Sequence, residues 1–198
     1  RTPGPLVAAG RAERDPLVVT VGRLWDEGKG ARDLAAVAGR LAGVGRVVVS
    51  GTAVHPAGGE DFPTGAPNLE WAGVLNPADL HALLGSAAVY VACSRYEPFG
   101  LAPLEAALAG CALVMSDIPT FRELWDGAAL FYTPGDSLSL ARALRGLLCD
   151  VARRAALAGT ARERALALFR PERMAAEYET IYTELLGSTA RSPEFDAV

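Results

Sequence analysis

The chain has 198 residues, of which 51% are hydrophobic, 21% charged and 7% aromatic, with a formal net charge of -4. About 100–200 residues suits one domain with a buried core, and so apolar a composition excludes intrinsic disorder. Lys+Arg 19 against Asp+Glu 23 leaves no broad basic footprint for nucleic acid, and apolar stretches such as Ser86 to Cys93 fall far short of the roughly 20 residues that span a bilayer.

Residues 1–16 mix Gly, Pro, Ala and Arg without periodicity and are expected to form a linker or disordered lead-in. From Pro16, short β-branched runs alternate with helical stretches. Leu17 to Val21 reads as a buried strand closed by Gly22. Ala31 to Leu41 reads as a helix with Leu34, Val37, Ala38 and Leu41 on one face. Arg46 to Ser50 is a second strand ending at Gly51, and the Gly/Pro-rich residues 52–68 read as an exposed loop. Leu69 to Ala72 is a strand, and Asn76-Pro77 opens a helix with proline at an early position. Ala88 to Cys93 is a strand, followed by a helix over Leu101 to Ala109 that Gly110 stops. Ala112 to Ser116 is a strand, Thr120 to Trp125 a short helix and Ala129 to Tyr132 a short strand. Ser137 to about Leu186 is helical, with an interruption near Pro171. Residues 17–187 are thus expected to form one domain and 188–198 a frayed tail.

Strand–helix alternation implies parallel strands joined by right-handed crossovers. The expected fold class is α/β: a doubly wound, Rossmann-like parallel sheet of about six strands with C-terminal helices. Ligands of such sheets bind outside the carboxyl ends of the strands. That rule selects the segments Gly22–Gly30, Gly51–Gly59, Gly73–Asn76, Ser94–Leu101 and Ser116–Thr120.

Cys93, Cys111 and Cys149 are odd in number and form no Cys-x-x-Cys pair. They read as buried small hydrophobes in a reducing compartment, not as a disulfide framework or zinc site. The chain opens on Arg1, and no basic, apolar and small-residue succession marks an export signal. The expectation is a piece of a longer, cytoplasmic protein.

Gly22-Arg-Leu-Trp-Asp-Glu-Gly28-Lys29-Gly30 has the wrong spacing for a P-loop, and Gly30 stands where a Ser or Thr would meet magnesium. No Gly-x-Gly-x-x-Gly follows a predicted strand, and no Asp-x-Asp pair is present to chelate a metal-bound diphosphate. No metal and no resident cofactor are therefore expected. Lys29 is the only lysine of a chain that otherwise uses arginine. With Arg23 it sets two cations at the start of the first helix, where backbone N–H groups and the positive helix end also favour an anion. A solvated loop pairing Lys29 with Asp26 or Glu27 is the competing reading.

A second constellation is Ser94-Arg-Tyr-Glu97-Pro-Phe99-Gly100-Leu101-Ala-Pro-Leu-Glu105. Gly100 permits close approach of backbone, so the amides around Phe99, Gly100 and Leu101 can face a phosphate oxygen. Glu97 lies on the loop and Glu105 is placed in the first helical turn. Carboxylates beside an anion site weaken phosphate affinity unless they serve sugar or ribose hydroxyls. Singly, Glu97 also reads as an exposed loop acid and Glu105 as a partner of the helix dipole.

Glu97 and Glu105, seven residues apart within SRYEPFGLAPLEAALAGCALVMSD, resemble the Glu-x7-Glu signature of retaining glycosyltransferases with the GT-B fold. Upstream, VGRLWDEGKG resembles the same proteins, specifically family 4 (glycosyl transferases group 1), with an Arg-to-Lys interval one residue longer than in many members. The resemblance runs from about Leu17 to Leu186 and covers only the C-terminal, donor-binding half of a GT-B enzyme. It implies that Arg23, Lys29 and Glu97 are catalytic: the cations hold the donor diphosphate and Glu97 contacts the transferred sugar. It further implies that Phe99, Gly100 and Leu101 cradle sugar and phosphate and Glu105 binds the ribose. Gly22 belongs to the donor loop, and Gly51 with the Gly73, Val74 and Leu75 turn lies near the nucleobase. The implied partners are a nucleotide-sugar donor and, through an N-terminal half, a glycan, lipid or small-molecule acceptor. Membrane association, if any, runs through that half, and no nucleic acid is expected. An epimerase domain on the same fold and a non-catalytic nucleotide-diphosphate-binding module are the alternatives.

His55 and His81 read as solvated or partly packed. Tyr96 and Phe99 either line the pocket or cap the core. Trp25 closes the crevice or packs on the linker, and Phe121 and Trp125 belong in the core. Arg142, Arg145, Arg153, Arg154, Arg162 and Arg164 fall on helical positions and read as solvated faces.

Overall fold

Every expected strand is present, and all pair in parallel. The computed structural model describes residues 14–58 and 61–189. Its elements are β1 (Asp15–Val21), α1 (Ala31–Ala38), β2 (Arg46–Ser50), β3 (Leu69–Trp71), α2 (Pro77–Ser86), β4 (Ala87–Ala92) and α3 (Leu101–Ala109). β5 (Ala112–Ser116), α4 (Pro119–Trp125), β6 (Leu130–Tyr132), α5 (Ser137–Cys149), α6 (Val151–Leu168) and α7 (Pro171–Thr189) follow. The sheet order β3-β2-β1-β4-β5-β6 places the reversal of winding between β1 and β4. That reversal opens a crevice at the carboxyl ends of these two strands, where doubly wound sheets bind ligands.

Both faces of the sheet are covered, which explains why the strands read as continuous apolar runs instead of alternating ones. Val18, Val47, Val49, Val89, Val91 and Val114 point to one face, under Leu34, Val37, Leu140 and Leu144 of α1 and α5. Val19, Val48, Tyr90, Leu113 and Met115 point to the other, under Ala106 of α3, Phe121 and Trp125 of α4 and Ala161 of α6.

Several boundaries differ from expectation for local reasons. β1 takes in Asp15 and Pro16, which composition assigned to the lead-in. Its entry is pinned by Arg14, whose guanidinium donates to the carbonyls of Ala87 at 2.7 Å and Leu84 at 3.3 Å, and to that of Ala109. The rest of the lead-in lies outside the described residues. The first helix ends at Ala38 and tightens into a 3-10 turn over Gly39–Leu41. The long C-terminal helix breaks at Pro171, as expected, and also at Asp150, which ends α5 and caps the Arg153 amide at 2.9 Å to open α6. α7 runs to Thr189, past the expected tail boundary, and the remainder of the tail is outside the described residues. The 52–68 loop is not wholly exposed, because Ala53 and Phe62 enter the core.

Of the arginines on α5 and α6, Arg142 and Arg153 are exposed as expected, but Arg145, Arg154, Arg162 and Arg164 are not simply solvated. Arg154 is 7% exposed and donates to the carbonyls of Leu147 and Leu148 at the C-terminus of α5, where the negative helix end offsets its charge. Arg145 reaches Arg40 O, Arg162 reaches Leu108 O and Arg164 reaches Asp126 O, so these side chains staple their helices to neighbouring elements. Phe121 and Trp125 are buried in the core.

Cys93 and Cys111 are buried but Cys149 is exposed, contrary to the uniform reading of the cysteines. Burial pushes the thiols of Cys93 and Cys111 up to about 12, so at neutral pH neither forms the thiolate that reacts. Native protein is expected to take up one equivalent of maleimide, at Cys149, and three equivalents in denaturant. Rapid native labelling of a second thiol contradicts this burial. The same shifts fix a sign. Above pH 9.0, the ordinary thiol value, the unfolded chain loses protons that folded Cys93 and Cys111 retain. Their contribution to stability is therefore full below that pH and is lost as pH climbs toward about 12.

Candidate functional site

The loops after β1 and β4 meet because two contacts tie them. Arg95 N donates to Gly28 O at 2.8 Å, and Gly30 lies directly against the Cys93 carbonyl with φ +61. A side chain at Gly30 would overlap that carbonyl and come 2.6 Å from an Arg95 guanidinium nitrogen, so only glycine lets the loop seat. Arg95 also pairs with Asp33 of α1 at 3.1 Å. Within the first loop, Gly28 N donates to Asp26 Oδ1 at 2.8 Å and Gly30 N to Glu27 O at 3.1 Å, a turn that absorbs the longer Arg-to-Lys interval. Residue types alone do not single out Gly30. Its proximity to β4 depends on sheet order, which residue spacing does not reveal.

A cleft of about 400 Å³ lies between the two loops, at the carboxyl ends of β1 and β4. Gly22, Arg23, Lys29, Glu97, Phe99, Gly100 and Leu101 all line it. Tyr90 and Cys93 form its floor. Burial drives the Tyr90 hydroxyl far above its usual range and the Cys93 thiol up to about 12, so the floor is uncharged at neutral pH. The formal charges in the lining belong to Arg23, Lys29 and Glu97.

Lys29 does not pair with Asp26 or Glu27. Its Nζ lies 2.5 Å from Glu97 Oε2, across the cleft, with the two side chains 31% and 15% exposed. Asp26 pairs instead with Arg23 at 2.7 Å, and the Arg23 guanidinium stands 5.7 Å over the Trp25 ring. The Glu97 loop is held from behind by Thr120, whose Oγ1 donates to Glu97 O at 2.7 Å. Thr120 ends the Ser116–Thr120 segment, and its role depends on how α4 packs, which residue spacing does not reveal.

The N-termini of α1 and α3 open on this cleft. Both begin on left-handed glycines, Gly30 and Gly100, with no side-chain cap. By contrast, Asn76, Asp136 and Asp150 cap α2, α5 and α6. Among the described residues, no acceptor meets the amides of Phe99, Gly100, Leu101 and Ala102. Pro103 contributes no N–H to this set. Exposed orphan donors at a positive helix end form an anion cradle.

Gly51 and Gly73 form a ledge next to the cleft. Gly51 N donates to Gly73 O at 2.8 Å, Ser50 Oγ to the same carbonyl at 2.9 Å, and Gly22 N to Ser50 O at 3.0 Å. Trp71 Nε1 donates to Gly51 O at 3.0 Å. Val74 is exposed and Leu75 half-buried beyond this ledge, and neither lines the cleft. Glu105 corrects an expectation. It is the fifth residue of α3, in the second turn, and is half-buried but outside the cleft lining.

The remaining candidates divide. Phe99 lines the cleft and packs edge-on against Phe169 at 5.3 Å, whereas Tyr96 is exposed and outside the lining. Trp25 is outside the cleft lining and packs edge-on against His55 at 4.4 Å, joining the loops after β1 and β2, while most of the expected linker lies outside the described residues. His81 is half-buried on α2. Among the described residues no group of His, Cys, Asp and Glu is placed to hold a metal ion, and no helix is long and apolar enough to cross a membrane.

Comparison with known proteins gives a consistent answer. A sequence profile described as "Glycosyl transferases group 1" matches residues 15–150. Glycogen synthase from Mycobacterium tuberculosis is 42% identical over 94 residues, an alignment covering 46% of this chain and 23% of that protein. Among solved structures, sucrose-phosphate synthase from Thermosynechococcus elongatus superposes with a TM-score of 0.75 at 24% identity, over 90% of this chain and 47% of that one. HepE from Anabaena, solved in complex with UDP-glucose, superposes with a TM-score of 0.75 at 21% identity, over 87% of this chain and 50% of that one. This chain thus spans about half the length of these structural relatives.

Proposed function

This chain belongs to the glycosyl transferases group 1 family, and from that premise we propose that it is the donor-binding half of a retaining, metal-independent GT-B glycosyltransferase of family 4. The observation that carries the reading is the cleft itself. The only lysine, an arginine and two uncapped helix N-termini converge on one crevice, with a half-buried carboxylate at its edge.

The donor diphosphate lies against Lys29, Arg23 and the free amides of Phe99 to Ala102. Sugar transfer passes through an oxocarbenium-like state while negative charge grows on the departing diphosphate. Fixed cations and oriented amides stabilise that charge without a metal. Glu97 accepts hydrogen bonds from the transferred sugar. The Gly22, Gly51 and Gly73 ledge, with Val74 and Leu75, supports the base, and Glu105 takes the ribose hydroxyls by reorienting toward the cleft mouth. HepE, which binds UDP-glucose, makes a UDP-sugar the first donor to try.

The acceptor site belongs to a second Rossmann-like half, and transfer requires both halves to close on the donor. An apolar row on α7, formed by Met174, Tyr178, Ile181 and Tyr182, remains exposed, as a face covered by a second domain would. The setting is cytoplasmic, where nucleotide sugars and reduced thiols coexist.

Calorimetric titration of the chain with UDP-, GDP- and ADP-glucose tests the reading. One of the three is expected to bind in the range of about 1 μM to 1 mM, competitively with its own nucleoside diphosphate. No heat with any of them, or competition by inorganic phosphate alone, overturns it.

A further inference from the structure

Each cation that the proposed donor needs is already engaged by a carboxylate. Arg23 is held by Asp26, but its side chain is 60% exposed, so water and salt make that pair weak and readily exchanged. The Lys29–Glu97 pair differs. Its side chains are 31% and 15% exposed and its atoms are 2.5 Å apart, so Glu97 occupies the position on the ammonium that a phosphate oxygen would take. Resting on the function proposed above, we infer that Glu97 is an internal competitor for Lys29, which makes the cleft select the nucleotide sugar over the bare nucleoside diphosphate.

A diphosphate entering the cleft displaces Glu97 from Lys29. The freed carboxylate then faces an anion inside a partly dehydrated crevice, where like charges repel and an unpaired carboxylate is costly. A donor with a sugar offsets this, because its hydroxyls donate to the carboxylate. A nucleoside diphosphate has no sugar beyond its β-phosphate and leaves Glu97 without a donor. After transfer the same imbalance returns Glu97 to Lys29 and expels the product. The backbone of the loop need not move, since Thr120 holds Glu97 O independently of the carboxylate.

The single lysine makes the pair directly observable, because a chain grown with 13C-lysine gives one ε-methylene signal, from Lys29. That signal is expected to shift in Glu97→Gln without ligand and to move again as UDP is added to the wild-type chain, with GDP and ADP as parallel arms. By calorimetry, Glu97→Gln is expected to tighten binding of the nucleoside diphosphate about fivefold while weakening or leaving unchanged that of its glucose conjugate. In the Lys29→Ala background the tightening should shrink, because the competition for the ammonium is gone and only like-charge repulsion by Glu97 remains. Unchanged or weaker nucleoside diphosphate binding by Glu97→Gln overturns the inference, as does an equal tightening without Lys29, which would signal general repulsion. If wild-type chain binds both ligands and Glu97→Gln changes neither, this inference alone fails. If no nucleotide binds and the lysine signal never moves, the proposed function fails with it.

Discussion

Under the proposed function, Lys29→Ala is expected to slow sugar transfer by the complete two-half protein about a hundredfold, a rise in barrier of about 3 kcal/mol. The size follows from position. Lys29 lies in the cleft beside the uncapped α3 N-terminus, partly screened from water, where a charge aimed at the leaving diphosphate is worth most. Arg23 cannot substitute, because its side chain is 60% exposed and turned to Asp26. Lys29→Arg keeps the charge but replaces a compact ammonium by a planar fork, and an intermediate loss of about tenfold is expected. Single-turnover rates at saturating donor separate this effect from weakened binding. Removing Lys29 also leaves Glu97 half-buried without its partner, so thermal unfolding should be measured alongside; a loss of about 1 kcal/mol is expected there. Turnover of Lys29→Ala within a factor of about two of wild type would remove Lys29 from its assigned role.

Gly51→Ala is expected to be the most damaging glycine substitution at the site. Gly51 has φ +131, and a methyl group there would run into the Gly22 carbonyl oxygen and lie 2.8 Å from the carbonyl carbon. Both atoms are backbone and belong to the carboxyl end of β1, so neither can swing aside. Relief requires β1 and β2 to part where Gly22 N donates to Ser50 O, and strains the neighbouring Gly51 N to Gly73 O bond that links the turns after β2 and β3. Strain of this kind costs about 3 kcal/mol or more in stability, and the residual folded protein would carry a displaced Gly51–Gly73 ledge. Gly43 supplies the control. Its φ is +81 but nothing lies within 4 Å of an added methyl, so Gly43→Ala should cost only the left-handed strain of about 1 kcal/mol. Urea midpoints of the two variants decide the matter; equal midpoints would show that the close approach of Gly51 to Gly22 is wrong.

The fold was legible because its four central strands are buried on both faces and a helix follows every strand except β2. Runs such as Val47–Val49 and Ala88–Val91 leave little alternative to central parallel strands. Helix ends were less legible where the stop signal was a single residue with two roles. Asp150 closes α5 and opens α6, and no proline or glycine marks the break. The buried Arg154 was unreadable for a related reason, since its solvent comes in the form of α5 carbonyls that the break exposes.

At the site, the loop residues Gly22, Arg23, Lys29, Glu97, Phe99, Gly100 and Leu101 converge because each follows a strand whose end lies at the switch in winding. Residue types and strand ends sufficed to place them. Partner choice did not follow from sequence. Lys29 had acids three and two residues before it, yet it pairs with Glu97, because the seating of Gly30 on Cys93 directs the lysine across the crevice. Glu105 lies in the second turn, not the first: with α3 starting at Leu101 as expected, its fifth residue is already past one turn of 3.6 residues.

A crystal structure of the chain with UDP bound tests the central claim most directly. The account predicts diphosphate density between the two loops, with oxygens in hydrogen-bond range of Lys29 Nζ and of the Leu101 and Ala102 amides, and Glu97 withdrawn from Lys29. Density for the diphosphate elsewhere, or in the cleft with the Lys29–Glu97 contact intact, would contradict it.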